Sequence, residues 1–136
     1  KPYPIGLWTG GKTRPFVNTE GRNGPAVGRL DPDPVGEMHP SAAEAAGLRQ
    51  GQTVYVSTPH GRQEFILRFD DRLPVDVVHA EHAWWFAERE GPDYGCFSSN
   101  ANMLFSHDHF DPISGAEPLK CGLCRVDSSS IRLNKS

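Results

Sequence analysis

The chain has 136 residues and a formal net charge of −3, with a hydrophobic fraction of 37%, 14 glycines and 12 prolines. This length is typical of one domain. The charge balance and the lack of a basic stripe argue against nucleic-acid binding. No apolar run approaches the length needed to cross a bilayer, so direct membrane insertion is not expected. Glycine and proline are spread along the chain, which indicates short strands joined by many turns and long loops.

The pattern predicts a first strand over residues 5–8, followed by a long polar stretch that contains several glycines. A very short helix comes next. Ser41 and Glu44 fit a capping box at its start, and Gly47 fits the left-handed residue that ends a helix. Pro40 could instead be the first helical residue, which moves the start without changing the element.

Further strands are predicted over residues 53–58, 64–69, 75–79 and 123–126. The first of these alternates outward polar with inward valine side chains, as a half-buried strand should. A helix of about six residues is too short to be a stable layer alone, so it must plug or cap a sheet. Together the elements predict a mainly β domain, a small β-barrel that carries a short helix.

The loops between these elements are small, polar and rich in hydrogen-bonding groups. Long loops of this composition on a rigid barrel are usually binding surfaces. Gly10 and Gly11 leave backbone amides accessible to an anion or a flat heterocycle. Asn100 and Asn102 offer donors and acceptors suited to the edge of a purine or pterin ring. The same residues are equally compatible with ordinary turns.

A series of motifs also follows one order along residues 3–126. They are Trp8-Thr9-Gly10-Gly11, Thr19-Glu20-Gly21-Arg22, Met38-His39-Pro40, Gly51-Gln52-Thr53-Val54, Thr58-Pro59-His60-Gly61-Arg62, and residues 78–86, 99–104, 111–115 and 119–126. In this order they resemble the C-terminal molybdopterin dinucleotide-binding domain of the dimethyl sulfoxide reductase family of molybdenum and tungsten enzymes. Three of these pieces together, Trp84-Trp85-Phe86, Ser99-Asn100-Ala101-Asn102 and Leu123-Cys124-Arg125-Val126, resemble the branch with polysulfide or thiosulfate reductase-like and acetylene hydratase-like enzymes.

The resemblance implies a six-stranded double-psi β-barrel with one or two short helices and long cofactor-facing loops. Residues 1–136 would form a single domain and a C-terminal fragment of a larger oxidoreductase, found in the cytoplasm or periplasm of a prokaryote. The loops at one end would hold parts of two molybdopterin guanine dinucleotides (bis-MGD). The molybdenum or tungsten atom and the catalytic groups would belong to other domains.

The resemblance therefore implies that this chain is not catalytic alone and that no dinucleotide stays bound to it in isolation. Its partners would be the remaining domains of the parent enzyme, with an iron–sulfur electron-transfer subunit as a further candidate. Some members of the family run non-redox reactions such as hydration at the same cofactor, so the resemblance names no substrate.

Where the motifs match by position, the resemblance assigns the family's cofactor contacts to residues of this sequence. Arg22 is expected to pair with a pyrophosphate or pterin oxygen, although it could instead be a surface arginine that ties down its own loop. Asn102 matches the pterin-reading asparagine better than Asn100 does, and either Trp84 or Trp85 must point into the core. The full set of implied cofactor contacts is Thr9, Gly10, Gly11, Thr19, Glu20, Arg22, His82, Trp85, Asn100, Asn102 and Lys120.

Cys121 and Cys124 have a spacing found in zinc sites, but a structural zinc needs a second pair of ligands. His107 and His109, with Asp111 nearby, could supply one. The alternative is that Cys124 is an ordinary buried strand residue, which is what free cysteines usually are. We do not expect a metal site here.

A different class of function is a stand-alone β-barrel that acts as a protein-interaction or regulatory module. Residues 84–86, Trp-Trp-Phe, would then be an exposed aromatic anchor. An excised enzyme domain would also expose an apolar patch at residues 84–86, because it has lost the surface it packed against. The polar loops favour the cofactor-binding interpretation, since an interaction module has no need of them.

Overall fold

The structure is a computed structural model that describes residues 1–10, 21, 23–30 and 32–129. Its strands are β1 (Ile5–Gly10), β2 (Val35–Met38), β3 (Thr53–Ser57), β4 (Arg62–Phe69), β5 (Val77–Glu81) and β6 (Cys121–Ser128). Its helices are α1 (Pro25–Leu30), α2 (Pro40–Ala45), α3 (Cys96–Ser99) and a 3₁₀ helix (Ala101–Leu104). Within these residues, no helix is both long and apolar enough to cross a membrane.

The six strands close into a barrel in the order β1-β5-β2-β4-β3-β6. β1 pairs with β5, and β2 with β4, in parallel, while the other four pairings are antiparallel. The predicted six-stranded barrel with short helices is confirmed. A closed barrel leaves no strand edge unpaired, so the described part of the chain completes its own sheet.

The strand directions bring one set of connections to the same end of the barrel, which we call the front end. β1, β3 and β5 finish there at Gly10, Ser57 and Glu81. β2, β4 and β6 begin there, the last two at Arg62 and Cys121. The loops that carry the predicted binding residues therefore leave or enter the barrel at this end.

The barrel interior is filled by alternate residues of the strands, as the two-residue period of a strand requires. Fully buried examples are Leu7, Val56, Phe65 and Val78. Both ends are closed by short helical segments, whose buried members join the same core. They are Ala43 in α2 together with Leu48, and Ala101 and Leu104 in the 3₁₀ helix with Phe105 after it.

The start of α2 differs from the predicted capping box. His39 is the N-cap, its Nδ1 accepts from the backbone N–H of Ser41 at 3.2 Å, and Pro40 is the first helical residue. The capping role given to Ser41 was wrong and the alternative with Pro40 was right, because proline needs no N–H at this position. Gly47 has φ of +71°, so the predicted left-handed ending is confirmed.

The predicted strands exist with shifted limits, and one strand was missed. β2 has only four residues, contains Gly36, and directly follows Pro34, so its sequence carries little strand signal. Packing requires a glycine at position 36, because a β-carbon there would lie 3.2 Å from the Cβ of Phe65. The close approach of β2 to β4 depends on that missing side chain.

Candidate functional site

The end of β1 is tied to the segment that precedes β6. The buried Thr9 hydroxyl donates to the carbonyl of Leu119, and the Thr9 backbone N–H donates to the carbonyl of Lys120 at 3.2 Å. The Thr9 hydroxyl is therefore occupied inside the protein, whereas Lys120 itself is exposed. Of the two, Lys120 has the side chain that can reach a ligand.

Gly10 is the last residue of β1 and pairs with Glu81 of the parallel strand β5. His82 follows directly, so Gly10 and His82 lie at neighbouring strand ends. A β-carbon at Gly10 would lie 3.0 Å from Nε2 of His79, and the absence of a side chain lets the imidazole lie against the strand. Glycine is needed here for this approach.

A buried carboxylate also lies at the front end. Glu81 is 2% exposed, and one of its oxygens accepts from the backbone N–H of Val35 at 3.3 Å. This contact links the end of β5 to the start of β2. Sequence reasoning missed Glu81, because it shares the outward row of β5 with His79, and a charged residue in that row gives no sign of burial.

Asn100 and Asn102 belong to the segment that caps the front end. The amide oxygen of Asn100 accepts from the backbone N–H of Asn102 at 3.1 Å and so caps the 3₁₀ helix. The Asn100 backbone N–H donates to Oε1 of the buried Gln63 at 3.0 Å. Because the Asn100 amide oxygen has a structural partner, Asn102 is the better placed of the two for contacting a ligand.

The predicted residues thus form two groups at the same end of the barrel. Gly10, His82 and Lys120 belong to β1 and its two neighbours, whereas Asn100 and Asn102 are held against β4. β1 and β4 lie opposite each other in the closed order of six strands. The structure therefore places the predicted residues at one end of the barrel, in two groups on opposite sides.

Comparison with known proteins decides the family. A family model described as "Molydopterin dinucleotide binding domain" matches residues 7–122. The chain belongs to this family. The domain is 31% identical over 120 residues to a dopamine dehydroxylase of Eggerthella lenta and 33% identical over 131 residues to an acetylene hydratase of Syntrophotalea acetylenica.

These alignments cover 88% and 90% of the domain but only 12% and 18% of the two relatives. A solved structure of acetylene hydratase from Pelobacter acetylenicus superimposes with a TM-score of 0.85 and 28% identity. That match covers 93% of this domain and 18% of that chain. The domain thus spans less than a fifth of the length of each of these relatives.

The donor set at the front end fits a molybdopterin dinucleotide. An ammonium group and an imidazole, from Lys120 and His82, suit the oxygens of a pyrophosphate. The amide of Asn102 can pair with the edge of a guanine or pterin ring. Gly10 has no side chain, and the space that this leaves holds the imidazole of His79 at the same strand end. Gly11, Thr19, Glu20 and Arg22 lie outside the described residues.

The aromatic run after β5 is arranged differently from the prediction. Trp84 is fully buried, which confirms that one of the two tryptophans points inward. Trp85 is half-buried with its ring edge-on to Tyr94 at 5.8 Å, and Phe86 lies under the guanidinium of Arg89 at 3.7 Å. The predicted exposed patch at residues 84–86 is therefore wrong for Trp84, whereas Trp85 and Phe86 stay partly exposed.

Cys121 and Cys124 lie three apart on β6, so their side chains point to opposite faces of the strand. Cys121 is exposed and Cys124 is fully buried, as expected for an ordinary strand cysteine. Burial raises the pKa of the Cys124 thiol to about 12. Among the residues that the structure describes, no three His, Cys, Asp or Glu side chains form a group that could hold a metal ion.

The residues considered as a second ligand pair have structural partners. His107 Nδ1 lies 3.1 Å from a carboxylate oxygen of Glu117. The Asp111 carboxylate accepts from the backbone N–H groups of Ser114 and Ile113 and from the Ser114 hydroxyl, which holds its pKa below the usual value. This part of the chain is a turn held by Asp111.

Proposed function

We propose that this domain holds a molybdopterin guanine dinucleotide at its front end, as one part of a larger molybdenum or tungsten oxidoreductase. The observation that carries the proposal is that Gly10, His82 and Lys120 lie at the same end of the closed barrel as Asn102, on the opposite side of it. The length of the relatives supports the larger assembly, since the domain corresponds to 12% and 18% of two of them.

Each residue has a role that follows from its chemistry. Lys120 and His82 bind phosphate oxygens, and Asn102 pairs with the edge of a ring. Thr9 acts indirectly, because its hydroxyl and N–H fix the end of β1 against the segment that carries Lys120. Trp85 and Asn100 are the remaining proposed cofactor contacts among the described residues. Gly11, Thr19, Glu20 and Arg22 are proposed as further contacts on the strength of the sequence alone.

The metal–dithiolene centre of the bound cofactor supplies the two-electron chemistry of the whole enzyme. The domain's own part is to bind and orient the dinucleotide, while other domains carry the metal ligand and the substrate. One relative is named a dehydroxylase and another a hydratase, so the fold leaves the substrate of the parent enzyme open. Its partners would be those other domains and an iron–sulfur subunit.

The interaction-module alternative loses its main support in this structure. It relied on the aromatic run at residues 84–86 as an exposed anchor, and Trp84 is instead part of the protein interior. We therefore carry only the cofactor-binding function forward.

The test is an NMR titration of the ¹⁵N-labelled chain with GDP and with isolated molybdopterin guanine dinucleotide. We expect weak binding, with shifts confined to amides near Gly10, His82, Asn102 and Lys120. Lys120→Gln should weaken the binding by about tenfold, as loss of a charged hydrogen bond would. The matched control is Arg49→Gln, an exposed arginine near the opposite end of the barrel. Shifts spread over the whole surface, or none at all, would overturn the proposal.

A further inference from the structure

A row of side chains crosses the outer face of four neighbouring strands. Trp8 of β1 pairs with His79 of β5, His79 pairs with Glu37 of β2, and Glu37 pairs with Arg68 of β4. These residues occupy directly opposite positions, so each side chain lies beside the next. Trp8 and His79 lie near the front end, because each is two residues before the last residue of its strand.

His79 is held in one orientation by this row. Its Nδ1 lies 3.0 Å from Oε2 of Glu37, and the other Glu37 oxygen lies 3.8 Å from the guanidinium of Arg68. The Trp8 ring meets the imidazole edge-on at a centroid distance of 6.4 Å. A carboxylate on one side and an indole on the other fix the ring before any ligand arrives.

The second ring nitrogen, Nε2, is directed at the end of β1. It lies 3.0 Å from the point where a β-carbon of Gly10 would be. A carboxylate beside Nδ1 requires a proton on that nitrogen, so Nε2 accepts a hydrogen bond when the ring is neutral and donates one when it is protonated.

The imidazole and Lys120 lie on the two sides of the same strand end. His79 is on β5, and Lys120 directly precedes β6, which pairs with the other side of β1. An anion brought up to Gly10 would therefore have the His79 ring on one side and the Lys120 ammonium on the other. The His79 side chain is 18% exposed, so the ring is oriented by the protein and still reachable from solvent.

We propose that His79 is an additional anion-binding residue, which contacts a phosphate oxygen of the dinucleotide through Nε2 beside Gly10, with Glu37 as its positioning residue. This rests on the proposed function and names a residue that the sequence comparison did not select. The chemistry it recognises is a phosphate or pyrophosphate group, because an imidazole N–H and an ammonium on either side of a strand end are the donors that such a group accepts from.

The probe is inorganic pyrophosphate, added to the intact 136-residue chain and followed by the ¹⁵N signals of the histidine rings and the amide signals. We expect His79 Nε2 to shift together with the amides of Gly10 and Lys120. His79→Gln should weaken pyrophosphate binding by about tenfold, since a charged hydrogen bond is lost. His79→Arg, which restores a cationic donor, should recover most of the affinity, whereas a purely structural role would not show this recovery.

Glu37→Gln is the second variant, and it keeps an acceptor for Nδ1 while removing the negative charge beside the ring. It should reduce the affinity by less than His79→Gln does. The matched control is His107→Gln, which changes an exposed histidine paired with Glu117 and should leave the affinity unchanged.

The outcomes separate this inference from the proposed function. If pyrophosphate and GDP shift Gly10 and Lys120 while His79 Nε2 stays fixed and His79→Gln binds like the wild type, the role of His79 is overturned and the proposed function stands. If neither ligand shifts any front-end signal, the proposed function fails, and the role of His79 fails with it.

Discussion

The amide oxygen of Gln63 accepts a hydrogen bond of 3.0 Å from the backbone N–H of Asn100. Gln63 is 6% exposed and its amide nitrogen donates to the carbonyl of Arg62 at 2.8 Å. This one side chain therefore connects β4 to the segment that closes the front end. The position of Asn100 and Asn102 depends on it.

Removing the hydrogen bond between Gln63 and Asn100 should destabilise the front end of the barrel. Gln63→Leu removes the acceptor and leaves a partly buried N–H without its partner, which should lower the free energy of unfolding by about 1–3 kcal/mol. Urea denaturation measures the loss, and hydrogen exchange should speed up in residues 100–105. Gln50→Leu is the control, since the exposed Gln50 also accepts from a backbone N–H, that of Phe69, which water can satisfy instead. Equal losses in the two variants would contradict the prediction.

Gly61 should tolerate no side chain, because a β-carbon there would overlap the carbonyl oxygen of Met103 in the 3₁₀ helix. Gly61→Ala should destabilise the domain by about 1–3 kcal/mol, as overpacking against backbone does. Gly6→Ala provides the comparison, because the added carbon meets Asp76 O and Val77 at ordinary distances of 3.4 and 3.5 Å. Chemical denaturation should show a clear loss for the first variant and little change for the second.

The pair of Asp70 and Arg72 gives a prediction for acid conditions. Two hydrogen bonds of 2.8 Å from the Arg72 side chain, with a third from its backbone N–H, lower the pKa of Asp70 from 3.8 to about 2. A carboxyl group with a lowered pKa stabilises the fold above its unfolded value of 3.8, and this contribution is lost as the pH falls through 2.

Arg72→Gln should therefore raise the pKa of Asp70 towards 3.8, which a ¹³C titration of the carboxyl group measures. The stability difference between the two proteins should be largest above pH 4 and disappear near pH 2. Arg49→Gln should leave the Asp70 titration unchanged. An Asp70 pKa that stays near 2 in Arg72→Gln would show that the arginine is not the cause.

The two cysteines of β6 should differ in reactivity. Burial raises the pKa of the Cys124 thiol to about 12, so at pH 8 this thiol stays protonated as well as inaccessible. A thiol reagent such as DTNB should label Cys121 in the native domain and reach Cys124 only after unfolding. Cys121→Ser should abolish the native labelling of β6, whereas Cys124→Ala should keep it. Native labelling of Cys124 in Cys121→Ser would contradict the buried position, and peptide mapping separates it from labelling of the partly exposed Cys96.

The elements with a regular pattern could be predicted from the sequence. β3 and β4 alternate polar and apolar residues, and their positions were found within two residues. β2 was missed because four residues with a glycine carry no period. The inward Gln63 and the outward but buried Glu81 were missed because a pattern of apolar residues does not reveal a buried polar side chain.

The candidate site was predictable only in part. The positions of Gly10, His82, Asn102 and Lys120 came from motif order, and the strand directions explain why all four reach the same end of the barrel. The contact of His79 with Glu37 could not be predicted, because it joins residues 42 apart in sequence through a strand pairing that no local pattern encodes. Cross-strand neighbours of this kind become visible only when the barrel order is known.

The closure of the barrel also fixes an order of events during synthesis. On one side β1 pairs with β6, with Trp8 opposite Cys121. This pairing can form only after more than a hundred further residues have been synthesised. Until the ribosome has released β6, β1 has an open flank and Lys120 cannot take its place beside Thr9. The front end of the barrel is therefore completed last, in a single step when β6 pairs with β1. A nascent chain halted before β6 should have most of its strands and none of its capacity to hold a ligand.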